Sequence, residues 1–148
     1  MRLLLLPPIV VLLCAGLMTA LHRAWPLATW LPSPWNWLGL VPALGGLGMA
    51  QWHARMFRRA GTNINTFGEP GCLRTEGLFR RTRNPMYLGM LIALLGLAAT
   101  LGSASALAGP LVFFVLAQGC YVPVEERAMG LKFGAAYDDY RRRVPRWW

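Results

Sequence analysis

Four long apolar segments, separated by shorter polar or basic stretches, set the pattern of this chain. They cover residues 3–21, 37–53, 86–101 and 106–122, and none of them contains Asp, Glu, Lys or Arg. Because a helix needs about 20 apolar residues to cross the hydrocarbon core of a bilayer, each segment is nearly long enough to span it. The pattern predicts an all-α integral membrane protein with about four transmembrane helices in a single membrane domain, residues 1–148.

Small residues at helical spacing predict close packing between these helices. Gly46 and Ala50 lie four residues apart in the second segment, as do Gly89 and Ala93 in the third. In lipid, such residues let helix backbones approach closely, and packing then supplies the attraction. The third and fourth segments are joined only by residues 102–105, which predicts a tight helical hairpin.

The basic residues predict the orientation of the chain. The loop after the second segment and the tail after the fourth are rich in arginine, whereas the loop between the third and fourth has none. The positive-inside rule therefore places both termini and the large loop in the cytoplasm. The basic residues concerned are Arg55, Arg58, Arg59, Arg74, Arg80, Arg81 and Arg83 in the loop, and Arg127, Lys132, Arg141, Arg142, Arg143 and Arg146 in the tail.

Composition excludes two classes of protein. With 55% hydrophobic and only 14% charged residues, the chain does not resemble a soluble domain of its length. A net charge of +9 alone would fit nucleic acid, but several bilayer-length apolar segments do not. We expect the charge to attract anionic membrane lipids and expect no nucleic-acid partner, which indicates an integral protein of a bacterial inner membrane.

The first apolar segment has a second interpretation as a cleaved signal peptide, since Arg2 precedes a run of leucines. No good small-residue cleavage site follows this run. Pro7 and Pro8 fit the start or a kink of a permanent span better.

Ionisable residues lie at the same predicted membrane face of two consecutive spans. Arg83 and Asn84-Pro85 precede the third span, and Glu125-Glu126 follow the fourth. Asn is a good N-cap and Pro suits the first helical position, so this pair starts a helix whose free N–H groups fit a carboxylate or phosphate. The glutamates follow Pro123 in the first turn of a short helix that ends near Gly134. There, the two carboxylates either only complement the helix dipole, or they accept hydrogen bonds from a ligand and pair with Arg83 across the site.

The tail predicts a short amphipathic helix. Tyr137, Tyr140 and Val144 fall on one side at i, i+3 and i+7. On the other side, Asp138–Arg142 and Asp139–Arg143 have the spacing of i, i+4 ion pairs. Arg143 is therefore either a surface ion-pair residue or part of a site that the helix closes.

Several of these motifs occur together, in order, in one known family. The segments that carry the resemblance are Thr75-Glu76-Gly77-Leu78-Phe79, Arg83-Asn84-Pro85-Met86-Tyr87-Leu88-Gly89, Glu125-Glu126, Phe133-Gly134 with Tyr137 and Tyr140, and Arg143-Val144-Pro145. Over roughly residues 61–146 the chain resembles the C-terminal half of the isoprenylcysteine carboxyl methyltransferase-like membrane enzymes, which are related to phospholipid methyltransferases. Residues 61–148 would then form the methyltransferase-like half, and residues 1–60 would shape the acceptor pocket.

The resemblance implies S-adenosylmethionine as methyl donor and an amphiphilic acceptor, such as an isoprenoid carboxylate, that arrives through the bilayer. It implies no metal, no second cofactor and no protein partner. The catalytic residues it implies are Arg83, Glu125, Glu126 and Arg143. The cofactor-binding residues it implies are Asn84, Pro85, Tyr87, Leu88, Gly89, Glu125, Glu126, Tyr137 and Tyr140. Relatives carry either His or Asn at this position, and because this chain has Asn84, proton transfer by a histidine is not expected there.

Two other functions fit parts of the sequence. An NADPH-dependent membrane reductase resembling the sterol reductases would share the start of the third span. A non-enzymatic four-span scaffold would explain the packing faces and the basic loops, but not Arg83, Glu125 and Glu126 at one depth. Because the motifs offer no evident His or Cys base, an acidic or thiolate-like acceptor is favoured over an amine.

Overall fold

The computed structural model describes residues 6–59 and 71–148, and every regular element within these two ranges is helical. The α-helices are α1 (Pro7–Ala24), α2 (Leu40–Arg59), α3 (Pro85–Leu101), α4 (Ala108–Leu116), α5 (Val122–Phe133) and α6 (Ala135–Arg143). Short 3₁₀ turns at Trp35–Gly39, Gly77–Arg80 and Ala104–Leu107 precede α2, α3 and α4. The predicted all-α class is confirmed.

Two stretches of the described chain are long and apolar enough to cross a membrane, by length and composition. One is α1, with 18 residues, and the other is the continuous helical run Ala104–Phe133, with 30 residues. The apolar α3 has 17 residues. Exposed leucine and valine side chains occur along these helices, as at Leu12, Leu13 and Leu111. An outer surface so apolar suits lipid rather than water.

Helix α1 begins where its prolines allow. Pro7 and Pro8 occupy the first turn, where a missing N–H costs no hydrogen bond, and Leu6 takes the N-cap position. The buried side of α1 carries Cys14 and Met18, which pack against the core formed with α3 and α4.

The close contact predicted for the small residues is made between α2 and α3. A Cβ on Gly46 would lie 2.5 Å from both the Gly89 O and the Ala93 N atoms, and a Cβ on Gly89 would lie 2.8 Å from Gly46 O. The two backbones therefore touch, which only glycine permits at these positions. Gly39 and Gly96 repeat the contact about two helical turns away. This interface fixes the position of the start of α3.

The helix of the fourth apolar segment continues past residue 122, where the segment ends and a new short helix was predicted to begin. Residues Ala117–Tyr121 form a π-helical turn that joins α4 to α5, so the helix continues to Phe133 and ends at Gly134. Pro123 has no N–H to give to the preceding turn, and a wider turn just before it accommodates that loss. The turn also stacks Tyr121 on Tyr87, with ring centroids 5.8 Å apart.

Helix α6 folds back on the loop before α3. Tyr137, Tyr140 and Val144 are buried together with Phe79, so the apolar side predicted for the tail is confirmed. The predicted i, i+4 ion pairs are corrected, because the aspartates pair one position earlier. Asp138 pairs with Arg141 at 3.0 Å, and Asp139 pairs with Arg142.

Two buried tyrosine hydroxyls give opposite expectations for stability. Tyr140 Oη donates to Phe79 O at 2.8 Å, whereas Tyr121 Oη is buried without a partner among the described residues. Tyr140→Phe is expected to lower the free energy of unfolding by about 1–3 kcal/mol, since it orphans a buried carbonyl. Tyr121→Phe is expected to leave it unchanged or raise it. Denaturant unfolding of the detergent-solubilised protein checks both, and a Tyr121→Phe loss as large as that of Tyr140→Phe would contradict this account.

Candidate functional site

A carboxylate held between two arginines lies where α5, the start of α3 and the C-terminal tail meet. Glu126 Oε1 is 3.1 Å from Arg83 Nη1. It also accepts from Arg146 Nε at 2.9 Å, and Glu126 Oε2 accepts from Arg146 Nη2 at 2.6 Å. The Glu126 and Arg83 side chains are only 18% and 12% exposed. Charges that are poorly solvated require partners of opposite charge. We call Arg83, Glu126 and Arg146 the charge cluster.

The tail is fixed to the start of α3 by three hydrogen bonds. Arg83 N donates to Pro145 O at 3.0 Å. Thr82 Oγ1 and Asn84 Nδ2 each donate to Arg146 O at 2.9 Å. Asn84 occupies the N-cap position of α3, but its side chain makes no capping bond there. Its amide holds the tail instead, which the sequence did not predict.

The second predicted glutamate lies beside an aromatic ring. Tyr87 Oη donates to Glu125 Oε1 at 2.6 Å, and the Tyr87 side chain is almost fully buried. Because the helix is continuous through the π-helical turn, Glu125 and Glu126 do not face a free helix N-terminus. Dipole stabilisation alone therefore does not account for these two carboxylates.

Arg83 carries a buried donor without a partner. Its Nη1 atom donates to Tyr137 Oη at 3.3 Å and pairs with Glu126, but Arg83 Nε is buried and unpartnered among the described residues. Buried polar atoms nearly always have partners, so an orphaned guanidinium N–H indicates a place for an acceptor that residues 6–59 and 71–148 do not supply.

The tyrosines near Arg83 remain neutral. Burial, and then the charge of Glu126, raises the pKa of Tyr137 above its ordinary value. Burial raises the pKa of Tyr140 to about 12. The hydrogen bonds to Glu126 raise the pKa of Arg146, so its guanidinium stays charged. Both phenols therefore keep their protons at physiological pH, and neither is a ready base.

The remaining predicted residues lie outside the charge cluster. Pro85 is the buried first residue of α3, and Leu88 lies in its first turn, where Leu88 N donates to Asn84 O. Gly89 lies against the α2 backbone, which gives it a packing role. Arg143 is exposed on α6, and its Nε donates to Asp139 O of the same helix at 3.2 Å.

Arg146 is the functional candidate that sequence reasoning missed. It follows directly on the Arg143-Val144-Pro145 motif and bonds to Glu126, whereas Arg143, the tail arginine that the sequence singled out, bonds to Asp139 O within α6. Its only sequence signal is an arginine between a proline and two tryptophans. His53 is buried nearby, with Nδ1 2.8 Å from Met49 O and its ring against Phe79.

A comparison with known protein families identifies the family to which the chain belongs. Residues 35–136 match the phospholipid methyltransferase family, a range that contains Arg83, Tyr87, Glu125 and Glu126. The chain belongs to the phospholipid methyltransferase family. The resemblance to membrane methyltransferases is thereby confirmed, and it favours methyl transfer over the reductase and scaffold alternatives.

One curated relative extends the comparison. Methanethiol S-methyltransferase 2 of Bradyrhizobium diazoefficiens is 37% identical over 130 residues, which is 80% of this chain and 46% of that protein. The chain thus spans about half the length of the curated relative it matches. No solved structure matches the chain.

The residues present suit S-adenosylmethionine. The orphaned Arg83 Nε fits the carboxylate of its methionyl part, since a guanidinium can donate to a carboxylate from several N–H groups. The Glu125 carboxylate is of the type that accepts hydrogen bonds from a ribose diol. The buried Tyr87 ring stacks on Tyr121, and its hydroxyl holds the Glu125 carboxylate in place.

Proposed function

We propose that the protein transfers a methyl group from S-adenosylmethionine to a lipid-soluble or amphiphilic acceptor at the cytoplasmic face of the membrane. The observation that carries this proposal is the adjacency of the Tyr87–Glu125 hydrogen bond and the Arg83–Glu126 ion pair. These contacts bring a carboxylate acceptor, an orphaned guanidinium donor and an aromatic ring to one end of α3.

The residues act by positioning and by charge. When bound, S-adenosylmethionine supplies an electrophilic methyl group on a sulfonium, which a nucleophile takes in one displacement that leaves S-adenosylhomocysteine. In our proposal Arg83 holds the carboxylate, Glu125 holds the ribose, and the Tyr87 hydroxyl positions Glu125. Alignment of donor and acceptor in a site shielded from water is the main requirement of such a displacement.

The acceptor proposed is an anionic nucleophile on an apolar molecule. Tyr137 and Tyr140 are held neutral, and neither the charge cluster nor the Tyr87–Glu125 pair includes a His or Cys to deprotonate an ammonium. A carboxylate needs no base, whereas a thiol, like an ammonium, must first lose a proton. The name of the Bradyrhizobium relative makes a small thiol the second acceptor class to test, beside an isoprenoid carboxylate.

We infer a membrane arrangement of four spans with both termini in the cytoplasm. The exposed apolar faces of α1 and α4 and the short Gly102–Ser105 connection support it, as does the close packing of α2 on α3. In this arrangement the exposed Trp25, Trp35 and Trp37 lie at the outer interface, opposite the charge cluster.

Binding of S-adenosylhomocysteine to the purified protein tests the proposal. Glu125→Gln is expected to weaken binding about ten- to hundredfold, because a hydrogen bond to a charged group contributes about 1.5–3 kcal/mol. Asp138→Asn is the matched control, since the exposed Asp138–Arg141 pair contributes less than about 1 kcal/mol. Calorimetry that gives equal losses for both variants would argue that Glu125 serves the fold alone.

A further inference from the structure

Of the last five residues of the chain, the first four are anchored by burial or by hydrogen bonds. Val144 is buried against Phe79, and Pro145 O accepts from Arg83 N. Arg146 bonds to Glu126 through its guanidinium and to Thr82 and Asn84 through its carbonyl. Trp147 Nε1 donates to Gln118 Oε1 at 2.7 Å, and Trp148 lies near Arg81. We call residues 144–148 the C-terminal segment.

The C-terminal segment contacts three elements around the site. Its backbone binds the start of α3, Trp147 binds the π-helical turn, and Arg146 binds α5. The Trp147 ring also packs on Phe114 of α4, with centroids 5.2 Å apart. A displacement of the segment would therefore move Glu126 and Arg83 relative to each other.

The two glutamates have different surroundings. Glu126 is engaged by two guanidinium groups, and Arg146 holds both of its oxygens. A carboxylate so bound is committed to protein partners and would have to give up charge-assisted bonds to take a ligand. Glu125 accepts from Tyr87 Oη. Glu126 thus bridges Arg146 of the C-terminal segment and Arg83 at the start of α3.

We propose that Arg146 is a positioning residue that acts through Glu126 on Arg83. The two-bond contact fixes the Glu126 carboxylate, Glu126 fixes Arg83 Nη1, and Arg83 Nε is thereby kept available for the donor's carboxylate. This inference rests on the proposed function. It predicts that Arg146 matters for the methionyl part of the donor and not for its nucleoside part.

Two ligands that differ only in the methionyl part test the inference. S-Adenosylhomocysteine carries the carboxylate and the amino group, and 5′-methylthioadenosine has the same thioether nucleoside without them. Arg146→Lys keeps the charge but loses the planar fork. It is expected to weaken S-adenosylhomocysteine about tenfold, roughly the effect of one charge-assisted bond, and to leave 5′-methylthioadenosine within about twofold of wild type. Arg142→Lys, on the exposed side of α6, is the matched control and is expected to change neither.

A second variant separates positioning from a general loss of structure. Glu126→Gln is expected to show the same selective loss, and the double variant is expected to lose no more than the larger single loss, because both residues act in one chain of contacts. Equal weakening of both ligands by Arg146→Lys, or no weakening of either, would overturn the inference. Failure of the wild-type protein to bind S-adenosylhomocysteine would instead overturn the proposed function.

Discussion

Gly46→Ala is expected to destabilise the protein more than any other single-methyl change on α2. The added Cβ would lie 2.5 Å from backbone atoms of Gly89 and Ala93, and backbone cannot move aside as a flexible side chain does. The two helices must separate, and overpacking of this kind costs about 1–3 kcal/mol or more. Because α2 supports the start of α3, the charge cluster is expected to be disturbed as well. Thermal unfolding in detergent, with ligand binding measured below the transition, checks both effects.

The neighbouring glycine is the matched control for this change. A Cβ on Gly45 meets no atom within 4 Å, although it lies in the same helix one residue earlier. Gly45→Ala is expected to leave the melting temperature unchanged or raise it slightly, since alanine favours the helix by about 1 kcal/mol. Similar melting temperatures for the two variants would show that α2 and α3 do not touch at Gly46.

Arg83→Lys is expected to lower turnover about ten- to hundredfold although the positive charge remains. The three N–H donors of a lysine ammonium sit on one nitrogen, whereas Arg83 uses Nη1 for Tyr137 and Glu126 and keeps a separate nitrogen, Nε, for the ligand. Loss of a hydrogen bond between charged groups corresponds to about 1.5–3 kcal/mol. Methyl transfer at saturating acceptor measures the loss.

Arg80→Lys provides the comparison for Arg83→Lys. Arg80 is exposed at the end of the 3₁₀ turn before α3, so its replacement retains the local charge without touching the charge cluster. We expect near wild-type turnover from this variant. Full activity of Arg83→Lys would remove Arg83 from the proposed site.

Local signals in the sequence predicted the parts of the fold that depend on local chemistry. Asn84-Pro85 marks the start of α3, and Gly102, with a positive φ of 73°, ends it, so the third segment was predicted to within one residue. The continuation of the fourth segment was not predictable in this way. Pro123 normally argues for a helix boundary, and only the tertiary environment decides that a π-helical turn will carry the helix through it.

The candidate site was predictable in part for a similar reason. Arg83 and Glu125-Glu126 stood out because charge at the end of an apolar span is unusual. The partnership of Glu126 with Arg146 joins residues 20 positions apart, one on α5 and the other in the tail beyond α6, and no sequence periodicity indicates it. Arg143 had the motif position but lies on the exposed face of α6. Asn84 had the cap position, yet its amide binds the tail, because the backbone of residue 146 passes close by.

Methyl transfer from S-adenosylmethionine labelled in its methyl group tests the central claim most directly. The purified wild-type protein, reconstituted in lipid, is offered the donor with a total lipid extract and, separately, with a small thiol. The account predicts labelled product from at least one acceptor class, and a loss of about tenfold or more in Glu125→Gln but not in Asp138→Asn. A wild-type protein that neither binds nor consumes the donor, yet binds NADPH, would contradict it.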